Sequence, residues 1–92
     1  MWDAVAPVTD EYDPIVYEGG SPGAVSVLNA GPGIVQMRAW FNDISAREEP
    51  EIEMTVRPGD SRLISGRLVR VRFIEGRPEF AAIAWRYLGH ER

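Results

Sequence analysis

Arg67-Leu68-Val69-Arg70-Val71-Arg72-Phe73-Ile74-Glu75 repeats with a period of two, setting Val69, Val71 and Phe73 against Arg70, Arg72 and Ile74. Successive side chains of an extended chain point to opposite faces, so this stretch specifies a strand with one buried and one solvated face. A helix needs an apolar repeat near 3.6 residues, and no window of the chain shows a convincing one.

The reading extends outward from that strand in both directions. Toward the C-terminus, Glu75-Gly76-Arg77-Pro78 is a hairpin signal, and Glu79 to Leu88 returns as a strand. In it Phe80, Ala82 and Ala84 share one side, while Ala81, Ile83, Trp85 and Tyr87 share the other and are assigned to the core. Toward the N-terminus, Gly66 is read as a break between the Arg67 strand and a short strand Ser61 to Ser65. Arg57-Pro58-Gly59-Asp60 places Pro and Gly at the central positions of a type II turn. Glu51 to Val56 alternates, with Ile52, Met54 and Val56 inward. Asp43 to Pro50 is a polar loop with one helical turn expected over Ser45 to Glu49. Ile34 to Asn42 is a strand whose core face is Val35, Met37, Ala39 and Phe41 and whose other face is Ile34, Gln36, Arg38 and Trp40. Gly31-Pro32-Gly33 turns the chain back to a strand over Ala24 to Ala30, and a seventh short strand is expected over Pro14 to Glu18.

Seven short strands separated by turn signals predict an all-β fold, an antiparallel β-sandwich of two layers. In strand number it resembles the immunoglobulin-like sandwiches, although the Cys pair of those domains is missing. A small closed barrel of the OB or SH3-like kind is the alternative, because strand count does not separate closure from stacking. Ninety-two residues make one folded unit.

Charge divides the chain. Residues 1–20 hold Asp3, Asp10, Glu11, Asp13 and Glu18 with no basic residue, whereas the ten Arg of residues 21–92 face nine acids, so the arm carries −5 of the net −4 and the body is near neutral. The domain reading is therefore an acidic, partly flexible N-terminal arm over 1–20 and a sandwich over 21–92, with Gly19-Gly20-Ser21-Pro22-Gly23 as the hinge. No apolar run approaches the length of a spanning helix, so no membrane partner is expected. Met1-Trp2-Asp3 lacks the basic and apolar regions of a secretory signal, which leaves the cytoplasm as the default expectation.

Catalytic chemistry finds few carriers. There is no Cys, and the one His, His90, falls in the terminal Gly89-His90-Glu91-Arg92. A nucleophile with a neighbouring base, or a zinc site built on Cys and His, needs more than that. Glu51 and Glu53 share a strand face but read as a solvated edge. Asp10, Glu11 and Asp13 match no calcium loop, since the turn Gly and the distal Glu are out of register. The Gly-rich turns precede no helix and contain no Lys, so they are not phosphate cradles. No enzyme activity, cofactor or metal is expected.

The feature that rises above background is a set of outward side chains. Arg70 and Arg72 share one strand face, and Arg38 and Trp40 share another. If the strands are neighbours, these four form one surface, suited to a partner or to an acidic ligand such as a glycan or nucleic acid, with Trp40 exposed for stacking. In the arm, Ile15, Val16 and Tyr17 form an apolar segment able to add to an exposed sheet edge. The expected function is a protein-protein interaction or assembly module that associates with itself through its arm and sheet edges.

Overall fold

The computed structural model describes residues 4–8, 14–41, 49–76 and 82–90. Its regular elements are all strands: β1 Ala4–Pro7, β2 Ile15–Asn29, β3 Ile34–Trp40, β4 Ile52–Val56, β5 Ser61–Glu75 and β6 Ala82–His90. Every neighbouring pair runs antiparallel. The all-β prediction holds, but in place of two stacked sheets there is one sheet, ordered β1-β6-β2-β5-β3-β4 and not closed into a barrel.

The difference from seven strands has two causes. Gly66 does not break the chain: Ser61 to Glu75 is a single strand, and Gly66 sits opposite Gly23. A Cβ at position 66 would lie 3.0 Å from the Ala39 Cβ and 3.2 Å from the Trp40 carbonyl oxygen, so glycine there allows two backbones to approach closely. The expected strands over 14–18 and 24–30 likewise belong to one strand, β2, and the stretch read as a hinge is extended chain within it. β1 was not expected, because Ala4-Val5-Ala6-Pro7 contains no polar residue and so shows no alternation. β6 continues through Gly89 to His90, beyond the Leu88 end read from the sequence. The helical turn expected over 45–49 and the centre of the 75–78 hairpin fall largely outside the described residues. Among those residues, no helix is long and apolar enough to cross a membrane.

One polar side chain shows how a single sheet encloses a core. Asn29 continues the β2-β5 ladder at the start of β5, with Leu28 opposite Ser61 and the Asn29 amide donating to the Asp60 carbonyl at 2.9 Å. Its Nδ2 donates to the Val56 carbonyl at 2.9 Å and the Gly33 carbonyl at 2.7 Å. Val56 lies opposite Val35, which lies opposite Phe73 near the far end of β5. Phe73 is thus two strand spacings, about 10 Å, from Val56, whereas a straight Ser61 to Phe73 would span about 40 Å. β5 must therefore bend, bringing its far end toward the Asn29 site where it begins.

The bend is built into the registers. Glu18 pairs with Leu68 and Gly23 with Gly66, so β2 takes five steps where β5 takes two, a large bulge at the glycine-rich stretch. Along β5 the buried positions shift phase, from Ile64, Gly66 and Leu68 to Val69 and Val71. One half of the sheet contributes Val25, Val27, Ile64 and Ile83 to a common apolar cluster, and the other contributes Val35, Met37, Ala39, Val56, Val69 and Val71. Val8 and Val16 complete it. The alternation that predicted inward Val35, Met37 and Ala39, and inward Ile83 and Trp85, describes this packing, but Tyr87, assigned to the same inward side, is 41% exposed and Ala84, assigned to the opposite side, is buried; Ala81 lies outside the described residues.

Candidate interaction surface

Rows of cross-strand partners define what lies on the outside of each half. In the β2-β5-β3-β4 half one row runs Ile15, Arg70, Arg38, Glu53, the next Arg72, Gln36, Thr55, and a third Glu18, Leu68, Trp40. The four side chains singled out from sequence, Arg38, Trp40, Arg70 and Arg72, thus share one outer face on adjacent strands.

Their chemistry differs from the expectation in one respect. Trp40, expected to be exposed, is 1% exposed, with the Arg38 guanidinium 5.4 Å from its ring centroid. That geometry is a cation-π contact made within the chain, and it leaves little indole surface for a ligand. The physical reason is position: Trp40 sits beside Leu68, itself buried, where two apolar side chains pair across neighbouring strands.

Arg72 is also engaged, its Nε donating to Gln36 Oε1 at 2.7 Å, while Gln36 Nε2 donates to Glu53 Oε2 at 3.2 Å. Arg72, Gln36 and Glu53 form a ladder across β5, β3 and β4. Glu51 accepts the Phe41 amide proton at 2.8 Å, and Arg67 Nη1 donates to the Phe41 carbonyl at 3.3 Å. The face therefore mixes guanidinium groups with carboxylates from the β4 edge, so it is less positive than Arg38, Arg70 and Arg72 alone imply.

The arm segment divides along its length. Ile15 projects on this outer face beside Arg70 and is 51% exposed. Val16 is buried in the core. Tyr17 packs against the core from the bulge, where its ring occupies the space a Cβ at Gly23 would need: the built Cβ falls 2.5 Å from the Tyr17 Cζ. Its hydroxyl donates to the Ser21 carbonyl at 2.8 Å, and its ring stacks on Tyr87 with centroids 5.4 Å apart and planes 3° from parallel. Loss of hydration at this stack, then repulsion from a Tyr17 phenolate and a hydrogen bond with Tyr17, hold the Tyr87 phenol above its ordinary pKa.

The other half presents a different exterior, which sequence reading did not single out. One row runs Val5, Ala84, Leu28, Ser61, and the next Arg86, Ser26, Leu63. Val5 is 69% exposed and Leu63 59%, and Arg86 is the one charged side chain in these rows. The only available signal was an absence, the lack of charge on alternate residues of Ala24 to Leu28. Asn29 was likewise missed. Its buried side chain also accepts the Gly31 amide proton at 3.1 Å, and an Asn two residues before a Gly-Pro-Gly turn was the clue.

Among the described residues, no group of three or more His, Cys, Asp or Glu side chains is placed to hold a metal ion. His90 closes β6 opposite Gly23. Comparison with protein-family models, with curated proteins and with solved structures finds no match to this chain.

Proposed function

We propose that this chain is a non-enzymatic interaction module whose partner is a second copy of itself, joined through the N-terminal β1 edge and the charge-poor outer face beside it. The observation that carries this reading is the contrast between the two exteriors. One half is covered by Arg38, Arg70, Arg72 and Glu53; the other presents exposed Val5, Ser61 and Leu63 and half-buried Leu28 and Ser26, with Arg86 alone charged. A sheet face that is to remain in water is ordinarily punctuated with charge, and a neutral face with protruding Val and Leu favours burial against protein.

The sheet edges support the same choice. β4 is flanked by Glu51 and carries Glu53, which oppose strand addition at that end. β1 carries no charge within its four residues, although Asp3 precedes it, and among the described residues it pairs only with β6. Addition of β1 to its counterpart about a two-fold axis continues the sheet across both copies, and closed two-fold symmetry is the default for such assemblies. Truncating residues 1–20 would be a poor test, because Val8, Pro14 and Val16 are buried. Sedimentation equilibrium of the full chain and of Val5→Asp separates the outcomes: reversible dimerisation lost in Val5→Asp supports the proposal, and a full chain that stays monomeric at every concentration ends it.

A binding face for an acidic glycan or nucleic acid is the second reading, supported by Arg38, Arg70 and Arg72 on adjacent strands. Its predicted mark is binding that weakens steeply with salt and disappears in Arg70→Glu plus Arg72→Glu. The burial of Trp40 and the Glu53 ladder place it behind self-association.

A further inference from the structure

We infer that Tyr17 and Tyr87 form a site of oxidative cross-linking, at which a one-electron oxidant joins β2 to β6 through an intramolecular dityrosine bond. The rings are parallel within 3° with centroids 5.4 Å apart. At a plane separation of about 3.6 Å, ordinary van der Waals contact, they are slid past one another by about 4 Å, the offset arrangement aromatic pairs prefer. That offset brings the edge of one ring over the other. The Tyr17 hydroxyl is held in place by the Ser21 carbonyl at 2.8 Å, and the ring is backed by Gly23. Tyr87 is 41% exposed, so an oxidant in solution can reach the pair.

The chemistry balances with a haem peroxidase and hydrogen peroxide as oxidant. Each phenol gives up one electron and one proton to become a phenoxyl radical. Hydrogen peroxide accepts the two electrons and two protons and leaves as two water molecules. The radicals couple through their ring carbons ortho to oxygen, forming one C–C bond, and each ring regains aromaticity by moving the ortho hydrogen to its oxygen. The net change is the loss of two hydrogen atoms from the chain. Preorganisation favours this outcome over coupling between molecules, because the two rings are already in contact. The chain has no Cys, so this pair supplies a covalent tie between neighbouring strands far apart in sequence that no disulfide provides.

The test is peroxidase with hydrogen peroxide on the dilute full chain, read by dityrosine fluorescence, intact mass and peptide mapping. The expected product is a monomer lighter by two hydrogens, carrying a 17–87 link, at a yield independent of protein concentration and with a raised denaturant midpoint. Tyr17→Phe and Tyr87→Phe keep the stacked shape and should abolish the product, whereas Tyr12→Phe should retain it. An intramolecular link that survives Tyr17→Phe overturns the inference. So does a product formed only between molecules, or no product under conditions that couple free tyrosine.

Discussion

Replacing Asn29 with Ala should be among the most damaging single changes in this protein, although it removes only a small amide. Asn29 is 1% exposed, and its side chain makes three hydrogen bonds: from Nδ2 to the Gly33 carbonyl at 2.7 Å and the Val56 carbonyl at 2.9 Å, and to Oδ1 from the Gly31 amide at 3.1 Å. Gly31, Gly33 and Val56 are buried, so water does not readily replace the amide. An unsatisfied buried polar group costs roughly 1–3 kcal/mol, and carbonyl oxygens tolerate the loss somewhat better than N–H groups, so the total is about 3–5 kcal/mol. A domain of this size has a stability of only about 5–14 kcal/mol. Asn29→Ala is thus expected to lose about a fifth of it or more, measured by urea unfolding followed through tryptophan fluorescence.

Asn29→Asp sharpens the test. An ionised carboxylate would face two carbonyl oxygens that now receive protons from Nδ2, and burial further disfavours the charge, so the folded-state pKa is raised above the unfolded value of about 3.9. The neutral acid can still donate one hydrogen bond. The sign follows from linkage: a group whose folded pKa is raised is most favourable below its unfolded pKa, and stability falls as pH rises through the folded pKa. Asn29→Asp should therefore be markedly less stable at pH 7 than at pH 4, relative to the unsubstituted chain. A loss under about 1 kcal/mol for Asn29→Ala, or an Asp variant equally affected at both pH values, would refute the assignment of Asn29 as the tie between the two ends of β5.

Other expectations follow from single contacts. Gly66→Ala should cost about 1–3 kcal/mol through overpacking against Ala39 and the Trp40 carbonyl, while Gly20→Ala, whose Cβ would meet nothing within 4 Å, should be nearly neutral in the same denaturation assay. Trp40→Ala should cost about 3–5 kcal/mol because the indole is buried; a loss typical of a surface site would show that Trp40 is accessible after all. Spectrophotometric titration should find the Tyr87 phenol ionising above its ordinary range, and Tyr17→Phe should bring it down by removing the phenolate repulsion and the hydrogen bond.

The legible part of the fold was whatever a local period of two encodes. The inward sets Val69, Val71, Phe73 and Val35, Met37, Ala39 could be read because one buried face leaves alternate residues apolar. The type II turn was legible for the same local reason: the Asp60 amide donates to the Arg57 carbonyl at 3.0 Å with Gly59 at φ 83°. What sequence could not show was continuity through Gly66 and through Gly19 to Gly23. A glycine that ends a strand and one that lets a strand bend against a neighbour look alike until the neighbour is known. The arginine face was found because phase alone puts Arg38 with Trp40 and Arg70 with Arg72. The exposure of Trp40 was misjudged because burial on the outer face depends on Leu68, a cross-strand partner 28 positions along the chain.

The claim that this protein associates through its β1 edge is tested most directly by thiol trapping, since the chain contains no Cys. Val5→Cys places a single thiol on the uncharged edge, and Glu53→Cys places one at the acidic β4 edge; both positions are exposed. Under mild oxidation Val5→Cys should form a disulfide-linked dimer rapidly, because a two-fold axis through the middle of the four-residue β1 passes next to Val5 and brings its two copies within the roughly 4.4–6.8 Å a disulfide spans, and Glu53→Cys should lag far behind. Equal and slow dimer formation by both variants would contradict the account.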